Sequence, residues 1–321
     1  MPSPLLRAVR VQRRDLWVAL ASFCLVGAVL VRVLAAPAIA RTWPVGTETT
    51  TMVATDGLAV VPGTDLEARP ARLVRSTTVR QLGAGFVPRG ATAYEISVDT
   101  RGADDAVVGR ERRVVTQLES DGTAVLTPVN REQVTEFNAS GDSVLTYRPL
   151  DRIAGQVLRF PRDTPTADRM LWDPETGRAW LATYEGPTTT GGHRTLEFRQ
   201  RIPATPVADP GGAGTSVVSV DRRVWVRPEV GAIVDERLDV RRTHQEAGTD
   251  RVLLDAAFRT PASEVTAAGS RVDDVVRQSQ WLLVVGPLVL LVLGMLALVA
   301  AVVSTVRRRP ASSVTRTEEQ R

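Results

Sequence analysis

Side chains that could perform chemistry are scarce in this 321-residue chain, and their scarcity excludes several classes of enzyme. Every one of its 40 basic residues is an arginine. The chain therefore lacks the lysine on which P-loop nucleotide sites, protein kinases and pyridoxal phosphate enzymes depend. One cysteine, Cys24, and two histidines, His193 and His244, are too few for a zinc site built from those residue types. We predict neither a metal nor a cofactor.

Three local patterns could be mistaken for active-site motifs. The carboxylates of Asp104-Asp105 and of Asp235-Glu236 are adjacent in sequence, so on a strand they point to opposite faces and do not converge. Residues 83–88 begin like a dinucleotide-binding loop but end in proline, and no βαβ unit surrounds them. We predict exposed loops at all three places.

The two histidines give no catalytic pattern either. His193 follows two glycines at the start of a strand-like segment, and His244 follows Arg241-Arg242-Thr243. No serine, cysteine or carboxylate stands at a spacing that indicates a partner for either imidazole. We therefore predict a protein that is not an enzyme, with no catalytic residues; a hydrolase whose residues no motif reveals is the enzymatic alternative.

Two apolar segments predict the membrane topology. Trp281–Val306 contains 26 residues without a charge, more than the roughly 20 that a helix needs to cross a bilayer. Leu16–Val31 is also uncharged, and apolar residues continue after Arg32 as far as Ala40. We predict transmembrane helices at 16–40 and 281–306, the first as an uncleaved signal anchor. Ala38-Ile39-Ala40 has the form of a signal peptidase site, so cleavage is the alternative.

The net charge of +4 and the pI near 10.1 could indicate nucleic-acid binding, but the distribution of charge favours another explanation. Residues 1–15 carry four arginines and one aspartate, and residues 307–321 carry five arginines and two glutamates. Residues 41–280 carry 30 arginines against 33 acidic residues. The basic flanks of membrane spans usually face the cytoplasm. We therefore predict a protein of the cytoplasmic membrane with both termini in the cytoplasm and the middle segment outside. We predict no nucleic-acid partner.

Residues 41–260 are predicted to form a large antiparallel β-sandwich or barrel-like domain, flanked by the two transmembrane α-helices. Short alternating segments recur there at intervals typical of such folds, with turn residues between them. The strands are predicted at 71–79, 93–100, 112–118, 123–129, 133–137, 143–147, 156–160, 179–184, 195–199, 216–220, 223–226, 232–240 and 252–258. Residues 41–51 are predicted to be an extended tether, and residues 261–280 an amphipathic helical stalk capped by Ser263.

A set of aromatic, turn and strand residues between Leu145 and Arg242 carries a family resemblance. The segments are Leu150-Asp151-Arg152, Phe160-Pro161-Arg162-Asp163-Thr164, Leu171-Trp172-Asp173, Thr183-Tyr184-Glu185-Gly186, Leu196-Glu197-Phe198 and Arg227-Pro228-Glu229-Val230-Gly231. This stretch resembles the actinobacterial PorA-like family, long catalogued as a domain of unknown function and labelled porin. Arg162 departs from the aromatic residue that the family tends to place after Phe-Pro.

The resemblance implies an actinobacterial cell-envelope membrane protein whose motif residues are structural. These residues are Asp151, Arg152, Phe160, Pro161, Asp163, Thr164, Trp172, Asp173, Tyr184, Gly186, Phe198, Pro228 and Gly231. The two-span plan is also similar to that of the animal scavenger receptors, which carry lipid through an internal tunnel.

The leading hypothesis is a membrane-anchored envelope protein whose outer domain binds, or helps to transport, an envelope lipid or glycolipid. An enclosed β architecture can hold an apolar cavity, and catalytic motifs are absent. The alternatives are a porin or channel component of the envelope, and a membrane scaffold or sensor with envelope protein partners.

Overall fold

The computed structural model describes residues 13–31, 33, 47–60, 68–82, 87–102, 105–137, 143–150, 153–208, 215–246 and 249–306. The chain divides into two compact units. One consists of Arg41–Val276; the other combines Met1–Ala40 with Arg277–Arg321.

The unit Arg41–Val276 is built around one sheet of thirteen strands, in which every described pairing is antiparallel. The strands are β1 (Thr47–Val60), β2 (Ala68–Gln81), β3 (Ala91–Arg101), β4 (Val107–Leu118), β5 (Ala124–Val125), β6 (Arg131–Phe137), β7 (Ser143–Pro149), β8 (Arg169–Asp173), β9 (Arg178–Thr190), β10 (His193–Ala208), β11 (Thr215–Arg227), β12 (Ala232–Glu246) and β13 (Thr249–Arg259). Their order is β7-β6-β4-β3-β2-β1-β13-β12-β11-β10-β9-β8, and β5 pairs with β4.

The sheet curls until its β8 edge faces β3 and β4. Leu171 and Trp172, neighbours on β8, point to opposite faces and enter two different apolar clusters. Trp172 packs with residues of β3 and β4, whereas Leu171 packs with residues of β9, β10 and β11. Gln156 forms an isolated bridge to Thr123, beside β5, and another to Leu171. The irregular segment around Gln156 thus connects the two sides of the curled sheet.

The prediction of a mainly β, antiparallel domain is confirmed. Most predicted strands lie inside an observed strand, and the two segments 216–220 and 223–226 are parts of the single strand β11. Several predictions differ from the structure. The 123–129 segment forms only the two-residue strand β5, and 156–160 makes isolated bridges. Asp235-Glu236, predicted to be an exposed loop, lies within β12 and is half-buried. The extended tether was predicted at 41–51, but from Thr47 onward these residues form the first part of β1. Strand β8 was not predicted.

Helix α2 (Ala262–Gln280) follows the last strand. It begins before Ser263, because the amides of Glu264 and Val265 donate to the carbonyl of Pro261; the predicted Ser263 cap is therefore wrong. The predicted apolar stripe is present: Val265 and Val272 are buried, and Ala268 and Val272 pack with Trp225, Val230, Ala232 and Val234. Up to Val276 this helix belongs to the same compact unit as the sheet.

The other unit contains helices α1 (Arg13–Leu30) and α3 (Gly286–Val306), which contact each other; a π-helical turn, Trp281–Val285, precedes α3. Small residues make the contact: a Cβ placed on Gly294 would lie 3.3 Å from the Cβ of Cys24. The large apolar side chains of both helices, such as Phe23 and Met295, are exposed.

Two membrane-spanning helices were predicted, and only the second meets the criteria of length and apolar composition. Within the described residues, Gly286–Ser304 alone is long and apolar enough to cross a membrane, whereas Asp15–Leu30 is a shorter apolar helix. The residues from 34 to 40, which would lengthen the first span, lie outside the described part of the chain.

Candidate functional site

A cavity of about 190 Å³ lies inside the curled sheet. Inward-facing positions of β2 line it in alternation: Arg75, Thr77 and Val79. Most of the wall is apolar, and helix α2 contributes Glu264 and Ala268 to it. For comparison, an apolar cavity of about 150 Å³ is large enough to bind benzene. The space is therefore sufficient for part of an organic ligand.

Ion pairs across the interior form the polar part of the cavity wall. The Arg75 guanidinium donates to the carboxylate of Glu175 at 2.8 Å, and both side chains are less than a tenth exposed. Arg242 reaches the other oxygen of Glu175 at 3.3 Å. Arg113 pairs with Glu111 and Glu132 at 2.6 and 2.7 Å. The two pairs made by Glu175 join parts of the chain that are 100 and 67 residues apart.

The end of β8 and the turn after it place two acids in this buried cluster, with opposite pKa shifts. Burial, and after it the charge of Glu175, raise the pKa of Asp173 to about 6. Burial also opposes ionisation of Glu175, but the charges of Arg75, Arg242 and Arg113 outweigh it and lower the pKa of Glu175 to about 2. Near neutral pH, Glu175 is ionised, whereas Asp173 titrates close to physiological pH.

Two polar atoms of residues that line the cavity lack a hydrogen-bond partner. One is Oδ1 of the fully buried Asp173, whose other oxygen accepts from the amide and the hydroxyl of Thr176. The other is Nε1 of Trp172, a residue only 3% exposed. A buried polar atom without a partner costs free energy, so an unmatched donor and an unmatched acceptor in neighbouring residues require an explanation.

Helix α2 closes the part of the interior near the beginnings of β1 and β12. Arg271 pairs with Glu48 on β1 at 3.1 Å, and Asp273 accepts from Arg227 at the end of β11 at 3.0 Å. His193 Nδ1 lies 3.6 Å from the same Asp273 carboxylate. Together these contacts hold the helix against the sheet.

The imidazole of His193 packs against helix α2. A Cβ placed on Gly269 of helix α2 would lie 2.8 Å from its ring, so only a glycine at that position lets the helix pack so closely. His244 lies on β12 opposite Ser216 and Arg251. Among the described residues, no group of three or more His, Cys, Asp or Glu side chains could hold a metal ion.

Most of the motif residues form one packed region beside the cavity. Phe160 and Phe198 are fully buried with ring centroids 4.7 Å apart, and the ring of Tyr184 lies 5.5 Å from that of Phe198. Gly186, also in β9, has a φ of 137°, a conformation that favours glycine. These aromatic residues are part of the hydrophobic core. The motif residues that line the cavity are Trp172 and Asp173.

The segment from Phe160 to Thr164, called the clip below, is hydrogen-bonded to the turn between β11 and β12. The Phe160 amide donates to the carbonyl of Gly231, and the Thr164 amide donates to that of Pro228. The Thr164 hydroxyl in turn donates to the Pro161 carbonyl, and Asp163 adopts a φ of 52°.

The close approach at this clip requires Gly231. Its φ is 71°, and a Cβ there would lie only 2.0 Å from the carbonyl oxygen of Phe160. Arg162, which replaces an aromatic residue of the family pattern, donates to the Glu229 carbonyl at 3.1 Å. Asp151 and Arg152 lie outside the described residues.

A comparison with protein-family models identifies the family of this chain. The model for Porin PorA matches residues 16–303, nearly the whole chain. The chain belongs to the Porin PorA family. No curated protein matches it. Membership of the Porin PorA family, together with the apolar helix Gly286–Ser304, indicates association with a membrane.

The sequence did not reveal the buried arginines and glutamates of this member of the Porin PorA family. Arg75 and Glu175 are 100 residues apart, and no motif connects them. One signal was available: on β2, Arg75 shares the inward register of the fully buried Leu73. An arginine in the apolar register of a strand indicates a buried ion pair.

Proposed function

We propose that this chain is a membrane-anchored, non-enzymatic envelope protein whose β-rich unit binds an amphipathic molecule, an envelope lipid or glycolipid, in the interior cavity. The observation that carries the proposal is the cavity itself. Its wall is mostly apolar but also includes buried charged residues, which is the pattern needed for a ligand with an apolar part and a polar part.

The same geometry argues against the sheet acting as a pore through the membrane. Buried ion pairs such as Arg75–Glu175 occupy the interior. The outer face carries charges paired across neighbouring strands, among them Arg110–Asp99, Arg241–Asp255 and Arg259–Asp239. A sheet facing lipid needs an outward band of apolar side chains, so this outer face suits water.

The proposed topology places both basic tails in the cytoplasm and the β-rich unit outside the cytoplasmic membrane. Support comes from the arginines at both ends of the chain and from the packing of α1 against α3 through small residues, which is typical of helices that associate within lipid. An actinobacterial source is part of the proposal, supported by the complete replacement of lysine by arginine.

Two substitutions at neighbouring positions of β2 test ligand binding. Thr77 lines the cavity, whereas the hydroxyl of Thr78 lies 3.0 Å from that of Thr49 on an exposed surface. The full chain is purified in polymer-bounded membrane discs, and the lipid released on denaturation is identified by mass spectrometry. We expect one enriched lipid class from the natural sequence and from Thr78→Trp, and its loss from Thr77→Trp. Equal lipid profiles in all three proteins would contradict the proposal.

A channel component is the second candidate, because the family bears the description Porin PorA. Conductance of the full chain in planar bilayers tests it. Discrete conductance steps that disappear in Thr77→Trp but persist in Thr78→Trp would favour the channel over the lipid-binding function. Absence of conductance in a protein that retains lipid would favour the lipid-binding function.

A further inference from the structure

We propose that the cavity takes an amphiphile with a cationic head group, and that the carboxylates of Asp235 and Glu264 receive its positive charge. This inference rests on the proposed function and adds the chemical class of the ligand. It follows from the charges of the cavity wall, from the partners that those charges already have, and from the contact between the start of helix α2 and β12.

The cavity wall contains more acids than bases. Its bases are Arg75, Arg113 and Arg222, and its acids are Glu48, Asp173, Glu175, Asp235, Glu236 and Glu264. An excess of negative charge attracts a cation and repels an anion, and in a partly desolvated interior these forces are screened far less than at a surface. The wall therefore favours a positively charged head group.

The arginines of the wall do not offer an anion a binding site, because each already has a carboxylate partner. A phosphate or carboxylate could reach one of these guanidinium groups only by displacing a buried carboxylate and leaving it unpaired, which is strongly unfavourable. The existing pairs are Arg75–Glu175 at 2.8 Å, Arg222–Glu236 at 2.6 Å, and Arg113 with both Glu111 and Glu132.

Asp235 and Glu264 are half-buried acids of the wall that have no basic partner. In the described part of the chain neither forms an ion pair, whereas Glu48 pairs with Arg271 of α2 at 3.1 Å. Among the same residues Asp173 is also without an ion pair, but it is fully buried and accepts hydrogen bonds within its own turn. The two half-buried carboxylates are therefore the ones that a ligand in the cavity can reach.

The surroundings of Asp235 disfavour its own charge. Burial raises the pKa of Asp235, and its hydrogen bonds and the charge of Arg237 only partly offset this effect. The ionised carboxylate is therefore incompletely compensated by the protein. A cation bound beside it would supply the missing compensation.

The start of helix α2 brings Glu264 to the same end of the cavity as Asp235. The amide of Glu236 donates to the Thr260 hydroxyl at 3.2 Å, and that hydroxyl donates to the Glu236 carbonyl at 3.0 Å. One turn of helix separates Glu264 from Ala268, and both line the cavity. The neighbouring lining residues of β12 include the apolar Ile233, Val234 and Leu238. An alkyl chain can thus pack here while its charged end stays beside the two carboxylates.

The test compares three probes that share a chain of the same length and differ in a small head group: octylammonium, octanol and octanoate. Each is added at neutral pH to the full chain in membrane discs of phosphatidylcholine, a lipid without net charge, and binding is measured by isothermal titration. The same titration of Thr77→Trp, in which the cavity is filled, supplies the signal from partition into the discs. Subtracting that signal isolates binding in the cavity.

We expect octylammonium to bind the cavity about tenfold more tightly than octanol, the effect of one hydrogen bond to a charged group, and octanoate to bind most weakly. The double variant Asp235→Asn/Glu264→Gln keeps the shapes of both side chains and removes their charge. In this variant the preference for octylammonium over octanol should disappear.

The matched control is Asp255→Asn/Glu185→Gln, which removes the same two charges at positions outside the cavity wall. We expect this control to keep the preference for octylammonium. The thermal midpoint of each variant, followed by circular dichroism, identifies a variant that has lost its fold.

The outcomes separate this inference from the proposed function. Cavity binding of octanol or octanoate as tight as that of octylammonium overturns the selection of a cation and leaves amphiphile binding intact. A preference that survives in a folded double variant overturns the role of Asp235 and Glu264. Identical titrations of the natural sequence and Thr77→Trp with all three probes overturn both the inference and the proposed function. The order of the three probes in the natural sequence decides the charge by itself, so a misfolded double variant would not prevent a decision.

Discussion

The guanidinium of Arg75 lies 2.8 Å from a carboxylate oxygen of Glu175, in a part of the chain 100 residues away. Both side chains are less than a tenth exposed. Arg75 belongs to β2, whereas Glu175 stands in the turn between β8 and β9, so this ion pair joins opposite sides of the curled sheet. It fixes how far the β8 edge turns inward, and therefore the shape of the cavity.

Replacing Glu175 with glutamine is expected to destabilise the β-rich unit strongly. The change leaves the buried guanidinium of Arg75 without its carboxylate, which costs about 3–5 kcal/mol when one partner of a buried pair is removed. Asp239→Asn breaks the half-exposed pair with Arg259 and should cost about 1 kcal/mol or less. Chemical unfolding of the full chain, followed by circular dichroism, measures both. Similar losses in the two variants would contradict a structural role for the buried pair.

The two acids at this turn predict opposite effects of pH on the free energy of unfolding. Glu175 has a folded pKa of about 2, below its ordinary value of 4.5, so its contribution is present above pH 4.5 and is lost as pH falls toward 2. Asp173 has a folded pKa of about 6, above its ordinary 3.8. Its contribution is present below pH 3.8 and is lost as pH rises through 6.

Unfolding measured between pH 2 and pH 8 checks these signs. We expect Asp173→Asn to remove the decline in stability between about pH 4 and pH 6 relative to the natural sequence. We expect Glu175→Gln to remove the rise between about pH 2 and pH 4.5. Parallel pH profiles for the natural sequence and Asp173→Asn would show that this carboxyl does not titrate in the interior.

The clip between Phe160 and Gly231 predicts a large effect of adding one methyl group. Gly231→Ala would place a Cβ 2.0 Å from the Phe160 carbonyl oxygen and would also strain a backbone with positive φ. Gly192→Ala has a φ of 83° but no atom within 4 Å of the new Cβ, so it isolates the backbone strain of about 1–2 kcal/mol. We expect Gly231→Ala to lower the midpoint of thermal unfolding clearly more than the control. Equal midpoints would refute the close approach.

The contact between α1 and α3 can be tested through the single cysteine of the chain. A Cβ at position 294 would lie 3.3 Å from the Cβ of Cys24, close to the separation found in disulfides. Gly294→Cys should therefore form an intramolecular disulfide on mild oxidation in membranes. Met295→Cys, at the neighbouring and 65% exposed position, should not.

Proteolysis between the helices, followed by non-reducing electrophoresis, measures this cross-link. Joined fragments in Gly294→Cys would also demonstrate that the first apolar segment is retained rather than cleaved after Ala40. Separate fragments in both variants would contradict the helix pair.

The sequence predicted the fold class well, because strand signals are local. Alternation within segments such as 93–100 and 232–240 identifies β3 and β12 without knowledge of their neighbours. The five-residue β8 was missed because it follows a loop rich in proline and threonine and is too short to show alternation. The first strand was missed because its threonines resemble a linker.

The cavity was much harder to foresee, because its residues are brought together only by the pairing of distant strands. Nothing near Arg75 in the sequence indicates that Glu175 is its partner. Trp172 and Asp173 were recognised as motif residues, but their neighbourhood does not reveal that they line a space. Phe160 and Phe198 were predicted only as structural residues of the family motif, and the structure shows both rings fully buried and in contact.

The pairing of β1 with β13 also sets the order of events during synthesis. Val53 of β1 is paired with Arg259 of β13, so β1 cannot pair on this edge until the last strand has been synthesised. At roughly 5–20 residues per second, more than ten seconds separate the emergence of the two. During that time one edge of β1 is uncovered, and uncovered strand edges readily pair with other chains. Until residue 259 has left the ribosome, this edge of β1 is therefore open to pairing with other copies of the chain.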